Sequence, residues 1–417
     1  MPAAPERKLK AWIDALDAVV IERTVEVRLV ALGIVSRQNV LLLGPPGTAK
    51  SMLASRATDL LGGGTFFQTL LTRFSVPEDV FGPLSLPELE LGNYRRVTTG
   101  FLPTATIAFI DEVYKANASI LNAMLTILNE RVFFEGERRT KVPLRCIVAA
   151  SNETPETDIG LDALDDRLLL RSAVDPLSPS GLKKLLERAP EDPKPKPAPH
   201  IDIADLEALD ARAATVTVPD EVTSTIVDVR EACRKHGLQV SDRRVRQIID
   251  VLRAMAAADG LDRVEPDMLG VMRFALWRET KDQVKASAAL RQGLGHTAAD
   301  ELVALGEERT KEFDELLQRL GVYYGARTDP EEPVRKALNV LRQIDERLAS
   351  ASHHPPRITS LWGPLLLSEQ GAADRARALS RIRERIASHP VIDKLNDAGQ
   401  TELAKRWWQS TGRAKTA

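Results

Sequence analysis

Cysteine is nearly absent: Cys146 and Cys233 stand far apart and lack metal-ligand spacing. That scarcity argues against a disulfide framework and fits a reducing compartment. No apolar run approaches the ~18 residues a membrane-spanning helix needs, and no apolar stretch backs the charges between Met1 and Lys8. The expectation is a soluble, cytoplasmic protein. Nor is there an excess of one charge, because 57 Lys and Arg against 59 Asp and Glu leave a formal charge of -2. Global electrostatics therefore favours neither nucleic acid nor an anionic membrane, and any such partner must be met locally.

With 417 residues the chain exceeds one ordinary core. Apolar residues at helical spacing between Lys8 and Val35 predict one or two helices, followed by a short buried strand over Asn39–Leu43. A helix is expected from Lys50 to a stop at Gly62-Gly63-Gly64, with further buried strands at 105–110 and 144–150. Strands alternating with helices predict a wound α/β domain. Prolines at nearly alternate positions from Pro190 to Pro199 exclude helix and mark a linker. Helical patterning resumes at Ile203, with Val240-Ser241-Asp242 as a cap ahead of Arg243. The expected organisation is a core over 1–190, a linker over 191–200, an all-helical domain over 201–282 and a mostly helical C-terminal region over 283–417. Within that region His353-His354 reads as solvent-facing, and Trp407-Trp408 as either a docking anchor or helix core.

The chemistry concentrates in Gly44-Pro45-Pro46-Gly47-Thr48-Ala49-Lys50-Ser51-Met52, which leaves a strand and opens a helix. Successive N–H groups at such a junction cradle phosphate oxygens. Lys50 would reach the β- and γ-phosphates of ATP, and the Ser51 hydroxyl would ligate Mg²⁺. Ala49 stands where the pattern has its second glycine, so the backbone is expected to be helix-like there. A later strand ends in Asp111-Glu112, at the edge where open parallel sheets bind ligands. Asp111 would hold Mg²⁺, and Glu112 would orient and polarise the attacking water. Asn152, closing the third strand, could bond the γ-phosphate or that water, or serve as a turn residue.

With these elements in order, the first ~280 residues resemble the MoxR family of AAA+ ATPases, nearest to its regulatory variant branch, RavA. The resemblance runs through Ile21-Glu22-Arg23, the phosphate loop, Leu71 to Leu84, Ile110 to Ala116, Leu125 to Arg131, Ala149 to Glu153 and Val240 to Arg244. It implies a P-loop AAA+ αβα core with an insertion around Pro83 to Leu102, a hairpin around Val132 to Val142, and a small helical lid. Asn152 then matches the first sensor, Arg167 the arginine finger that reaches a neighbour's ATP, and Arg243 the second sensor, with Arg244 as rival. The family also implies a ring, hexameric, acting in a chaperone-like way on a partner protein that carries a von Willebrand factor A domain. Arg138-Arg139-Thr140-Lys141 on the hairpin would then face a pore, or else be a solvated strand. Two rival functions stay open: an ATP-gated scaffold with incidental turnover, and a ring that engages DNA through the hairpin.

Overall fold

The computed structural model describes residues 4–135, 138–153, 159–187, 200–294 and 360–366. The first domain opens with α1 (Pro5–Val19), α2 (Thr24–Ser36), β1 (Val40–Leu43) and α3 (Lys50–Asp59). It continues with β2 (Leu61–Gly62), β3 (Phe66–Leu70), the short α4 (Pro77–Phe81) and α5 (Leu86–Glu90), β4 (Ile107–Asp111) and α6 (Ala118–Glu130). A hairpin of β5 (Val132–Glu135) and β6 (Arg138–Lys141) precedes β7 (Cys146–Ser151), α7 (Ile159–Asp165), β8 (Leu170–Ala173) and α8 (Pro179–Glu187). The second domain holds β9 (Ile201–Asp202), α9 (Ile203–Thr215), α10 (Asp220–Lys235), α11 (Asp242–Ala258), a 3-10 segment Pro266–Phe274 and α12 (Gln283–Gly293).

Five parallel strands form the main sheet in the order β3-β4-β7-β1-β8. Strands β1 and β7 are buried at every position, which is why both read as unbroken apolar runs. Leu43 pairs with Ser151, and Ile110 with Ala149, so Gly44, Asp111 and Asn152 leave the sheet at one edge. Helix α2 is buried on nearly all sides from Val27 to Val35 because the sheet and the second domain sandwich it.

Three expectations shift. Helix α3 stops at Asp59, before the triple glycine, because Leu61 and Gly62 pair in parallel with Ile201 and Asp202. Strands β3 and β8 lie outside the expected strands: they form the two edges of the sheet, and of the five residues of β3 only Phe67 is buried. The boundary expected at 282 falls ahead of α12, which packs on α10 through buried Ala286, Ala289 and Leu290 and so belongs with the helical domain. The expected linker (apart from His200), the His353-His354 pair, Trp407-Trp408 and most of 283–417 lie outside the described residues.

A buried ionic cluster joins the two domains. Asp165, at the end of α7, is 1% exposed, and its carboxylate accepts from Arg171 at 2.9 Å, Arg278 at 2.9 Å and the Tyr114 hydroxyl at 2.6 Å. Arg244 of α11 donates to the Asp165 carbonyl at 2.9 Å and to Ala275 O at 2.8 Å. Burial alone would raise the Asp165 pKa, but the guanidinium groups of Arg171 and Arg244 and the Tyr114 hydroxyl outweigh it and hold it below the usual carboxylate range. A depressed native pKa makes this contribution complete above ~pH 4 and loses it as pH falls through the native value. Asp165→Asn strands buried cations, so urea unfolding is expected to show a loss of ~3–5 kcal/mol at neutral pH. An unchanged midpoint would remove the cluster from the stability of the domain pair.

Candidate active site

The end of β1 must turn sharply beneath the chain that follows β8, and Gly44 is the residue that permits it. Its φ is +154°, and a Cβ there would meet Val174 O at 2.2 Å. Gly47, at φ +78°, completes the turn. Ala49 also lies in the left-handed region, with φ 66° and ψ 18°, which overturns the helix-like backbone expected for it. The loop needs the conformation that glycine takes freely, and alanine takes it at a cost of ~1–2 kcal/mol. Helix α3 then begins at Lys50 and presents its N-terminus to the loop.

A cavity of ≈ 640 Å³ opens over this junction. Its lining combines apolar side chains, Val19, Val20, Ile21, Leu177 and Leu185, with the polar Thr48, Lys50, Ser51, Asp111, Glu112 and Asn152. Pro46, Gly47, Ala49 and Met52 also line the cavity, whereas Gly44 and Pro45 offer backbone carbonyls to the Lys50 ammonium. Lys50 is 7% exposed. Burial pushes its pKa down, Asp111 and Glu112 pull it back up, and Arg23 adds to the downward push. A buried cation held by two loop carbonyls at a helix N-terminus suits a polyanion, and the apolar lining suits a flat base.

Glu112 sits in the left-handed region at φ 52° and ψ 44°, a strained posture of the kind that clusters at functional sites. Its N–H donates to Asp111 Oδ1 at 3.0 Å. Its own carboxylate accepts from Asn152 Nδ2 at 3.0 Å and lies 3.3 Å from Lys115 Nζ. Asp111, Glu112 and Asn152 are thus brought to the cavity. The Ser51 hydroxyl and the Asp111 carboxylate are hard oxygen donors of the kind that Mg²⁺ takes, so the residues fit that ion.

Arg167 and Arg243 do not line this cavity. Arg167 donates to Asn129 Oδ1 at 2.8 Å and is 38 residues from it in sequence. Arg243 is half-exposed and 3.7 Å from Asp166, and burial together with its charge lowers the Arg167 pKa. Arg244, by contrast, is 4% exposed and committed to the domain-joining cluster. On the hairpin, Arg139 pairs with Glu130 at 3.1 Å and lies over the Phe134 ring, which leaves a less concentrated cationic strip than the sequence suggested.

Sequence reasoning missed how the apolar lining is held. Glu22, at φ +56°, accepts from the Ser178 N–H at 2.8 Å and from the Ser178 hydroxyl. Those bonds hold its carboxyl below the usual range. Buried Arg23 donates to Thr48 O at 3.2 Å, Asp175 O at 2.6 Å and Glu22 O at 2.8 Å, so it ties the phosphate loop to the chain leading into α8. The Ile21-Glu22-Arg23 resemblance pointed to this segment without its contacts.

Comparison with known proteins agrees with this fold. Residues 7–211 match a model described as the MoxR domain in MoxR-vWA-beta-propeller ternary systems, and residues 221–290 match an AAA lid domain. Two uncharacterized proteins of Methanocaldococcus jannaschii are each 35% identical, over 287 residues (68% of this chain, 75% of the relative) and 277 residues (66% and 71%). Chaperone MoxR1 of Mycobacterium tuberculosis is 26% identical over 281 residues, 63% of this chain and 73% of the relative. A crystal structure from Cytophaga hutchinsonii superposes with a TM-score of 0.57 at 17% identity, covering 69% of this chain and 94% of that one, which supports the fold.

The strain at Ala49 is testable. Ala49→Gly releases the left-handed cost but gains unfolded-state entropy worth ~0.4–1 kcal/mol, so thermal denaturation should show a stabilisation of up to ~1 kcal/mol. A clear destabilisation would show that the loop is not strained at that residue.

Proposed function

The chain belongs to the MoxR family of AAA+ ATPases, and we propose that it hydrolyses Mg·ATP as a hexameric ring doing chaperone-like work on a partner protein. The observation that carries the hydrolytic reading is the convergence of Lys50, Ser51, Asp111, Glu112 and Asn152 on one cavity that is also lined by apolar Val19, Val20, Ile21, Leu177 and Leu185. In this reading the apolar lining takes adenine, the loop amides and Lys50 take the phosphates, and Ser51 with Asp111 holds the ion. Bound there, Mg²⁺ would supply positive charge against that of the phosphates. Glu112, released from Asn152 and Lys115, polarises the attacking water, and Asn152 orients it.

Assembly enters through Arg167 and Arg243. Both are cations on the Asp166 side of the molecule, outside their own chain's cavity, and their mutual repulsion favours an incoming anion. We read them as completing a neighbouring subunit's site, Arg167 as the finger and Arg243 as second sensor, both in trans. The partner is read as a protein with a von Willebrand factor A domain, since the model matched by residues 7–211 is described from ternary systems of that kind. Placement beside the RavA branch rests on the motifs alone, and no helix among the described residues is long and apolar enough to cross a membrane.

Two variants test this. Glu112→Gln should bind ATP and hold it in an assembled ring, with turnover lowered by ~10²–10⁴ in a phosphate-release assay. Prompt hydrolysis by that variant would free Glu112 from its role. Arg167→Ala should keep its ATP affinity by calorimetry and lose turnover by ~10³ or more. A wild-type rate would reject Arg167 as the finger.

A further inference from the structure

Helix α11 ends badly by its own chemistry. Its C-cap residue is Asp259, which places a carboxylate at the negative end of the helix dipole and half-buries it there. Burial pushes its pKa above the usual range, and bonds from Ser360 and Leu361 pull it back. Those bonds come from far along the chain, 101 and 102 residues on. Ser360 Oγ donates to Asp259 Oδ2 at 2.6 Å, and the Leu361 N–H donates to Oδ1 at 3.0 Å.

The segment that follows is folded to fit. Leu365 N bonds Trp362 O at 2.7 Å and Leu366 N bonds Gly363 O at 3.0 Å, which closes a tight 3-10 turn. The turn drives the Trp362 ring inward until it is 0% exposed, with its Nε1–H donating to Met255 O of α11 at 3.1 Å. Leu365 is equally buried, and Arg273 donates to Pro364 O at 2.7 Å from the 3-10 segment Pro266–Phe274. The turn also packs against α2, the helix that runs directly into β1 and the phosphate loop. One short peptide therefore touches the first domain through α2 and the second through α11.

We propose that the seam between α2, α11 and Pro266–Phe274 is a docking groove whose occupant is the chain's own Ser360–Leu366, with Asp259 as its receptor carboxylate and Trp362 as its anchor. The acid at the wrong end of α11 is the signature of such a groove. It costs the helix stability when alone and is satisfied by the hydroxyl and N–H that open the segment. A tryptophan in a fully enclosed pocket, with its one donor bonded, is the arrangement that dominates the energetics of peptide binding. Through this groove Ser360–Leu366 is fastened to both domains of the ATPase at once. The proposal does not depend on what the phosphate loop hydrolyses.

The test uses the full chain carrying Trp362→Ala and a fluorescent synthetic peptide with the sequence of residues 358–368. The peptide should bind this variant saturably in anisotropy titrations. It should bind at least tenfold more weakly to the wild-type chain, whose tethered copy holds the groove, and to Asp259→Ala/Trp362→Ala. No binding to a folded Trp362→Ala chain, or equal binding to all three, overturns the proposal. Should Trp362→Ala fail to fold, hydrogen exchange on full-length Asp259→Ala decides, since losing an acid from a helix C-terminus leaves the helix itself unharmed. Protection at Leu361 and Trp362 should fall more than tenfold while that of β1 is unchanged. Undiminished protection there overturns the assignment of Asp259 as receptor.

Discussion

A single buried carboxylate, shared among several cations, sets how this molecule can be built. Asp165 gathers Arg171 from the strand beside β1, Tyr114 from the turn after Glu112, and Arg278 from the helical domain, while Arg244 bonds its carbonyl. Arg171 and Arg244, both buried, could not stay inside without the anion, because an unpaired buried charge costs ~3–5 kcal/mol, whereas Arg278 reaches it from a half-exposed position. The position of the helical domain on the sheet and the position of the turn that follows the acidic pair are consequently one decision. Arg167, two residues on from Asp165, inherits its place from the same anchor.

The active-site cleft is built around strain rather than in spite of it. Ala49 and Glu112 are both non-glycine residues in left-handed conformation, and both line the cavity. Such postures persist only where the surroundings leave no alternative. Here the alternatives are closed off by Gly44 lying against Val174 O and by parallel pairing that fixes β1, β4 and β7 in register. Glu112 meanwhile spends its carboxylate on Asn152 and Lys115, so this acid is held in place by two of its own neighbours.

What could be read from the sequence was whatever is contiguous in it. The phosphate loop and the Asp111-Glu112 pair are short runs bounded by buried strands, and their spacing carries their meaning. The sheet core was legible for the same reason, since β1 and β7 are buried on both faces. Strand β3 escaped because an edge strand with one buried residue has no strong period. The conformation of Ala49 was misjudged because propensity speaks for a residue alone, whereas loop closure at the sheet edge dictates this one. The Asp165 cluster draws on positions from 114 to 278, and Trp362 meets Met255 across more than a hundred residues, so neither leaves a local trace.

Arg23 carries a quieter consequence. Its guanidinium is bonded to the carbonyl oxygens of Thr48, Asp175 and Glu22, none of which bears a formal charge. The Glu22 carboxylate feels the Arg23 charge, and the cavity lining sets Asp111 and Glu112 against Arg23 and Lys50, so the charges there stand near balance. The guanidinium therefore acts as a clasp: a shift of the chain at Asp175 is passed through one planar group to the loop carbonyl at Thr48.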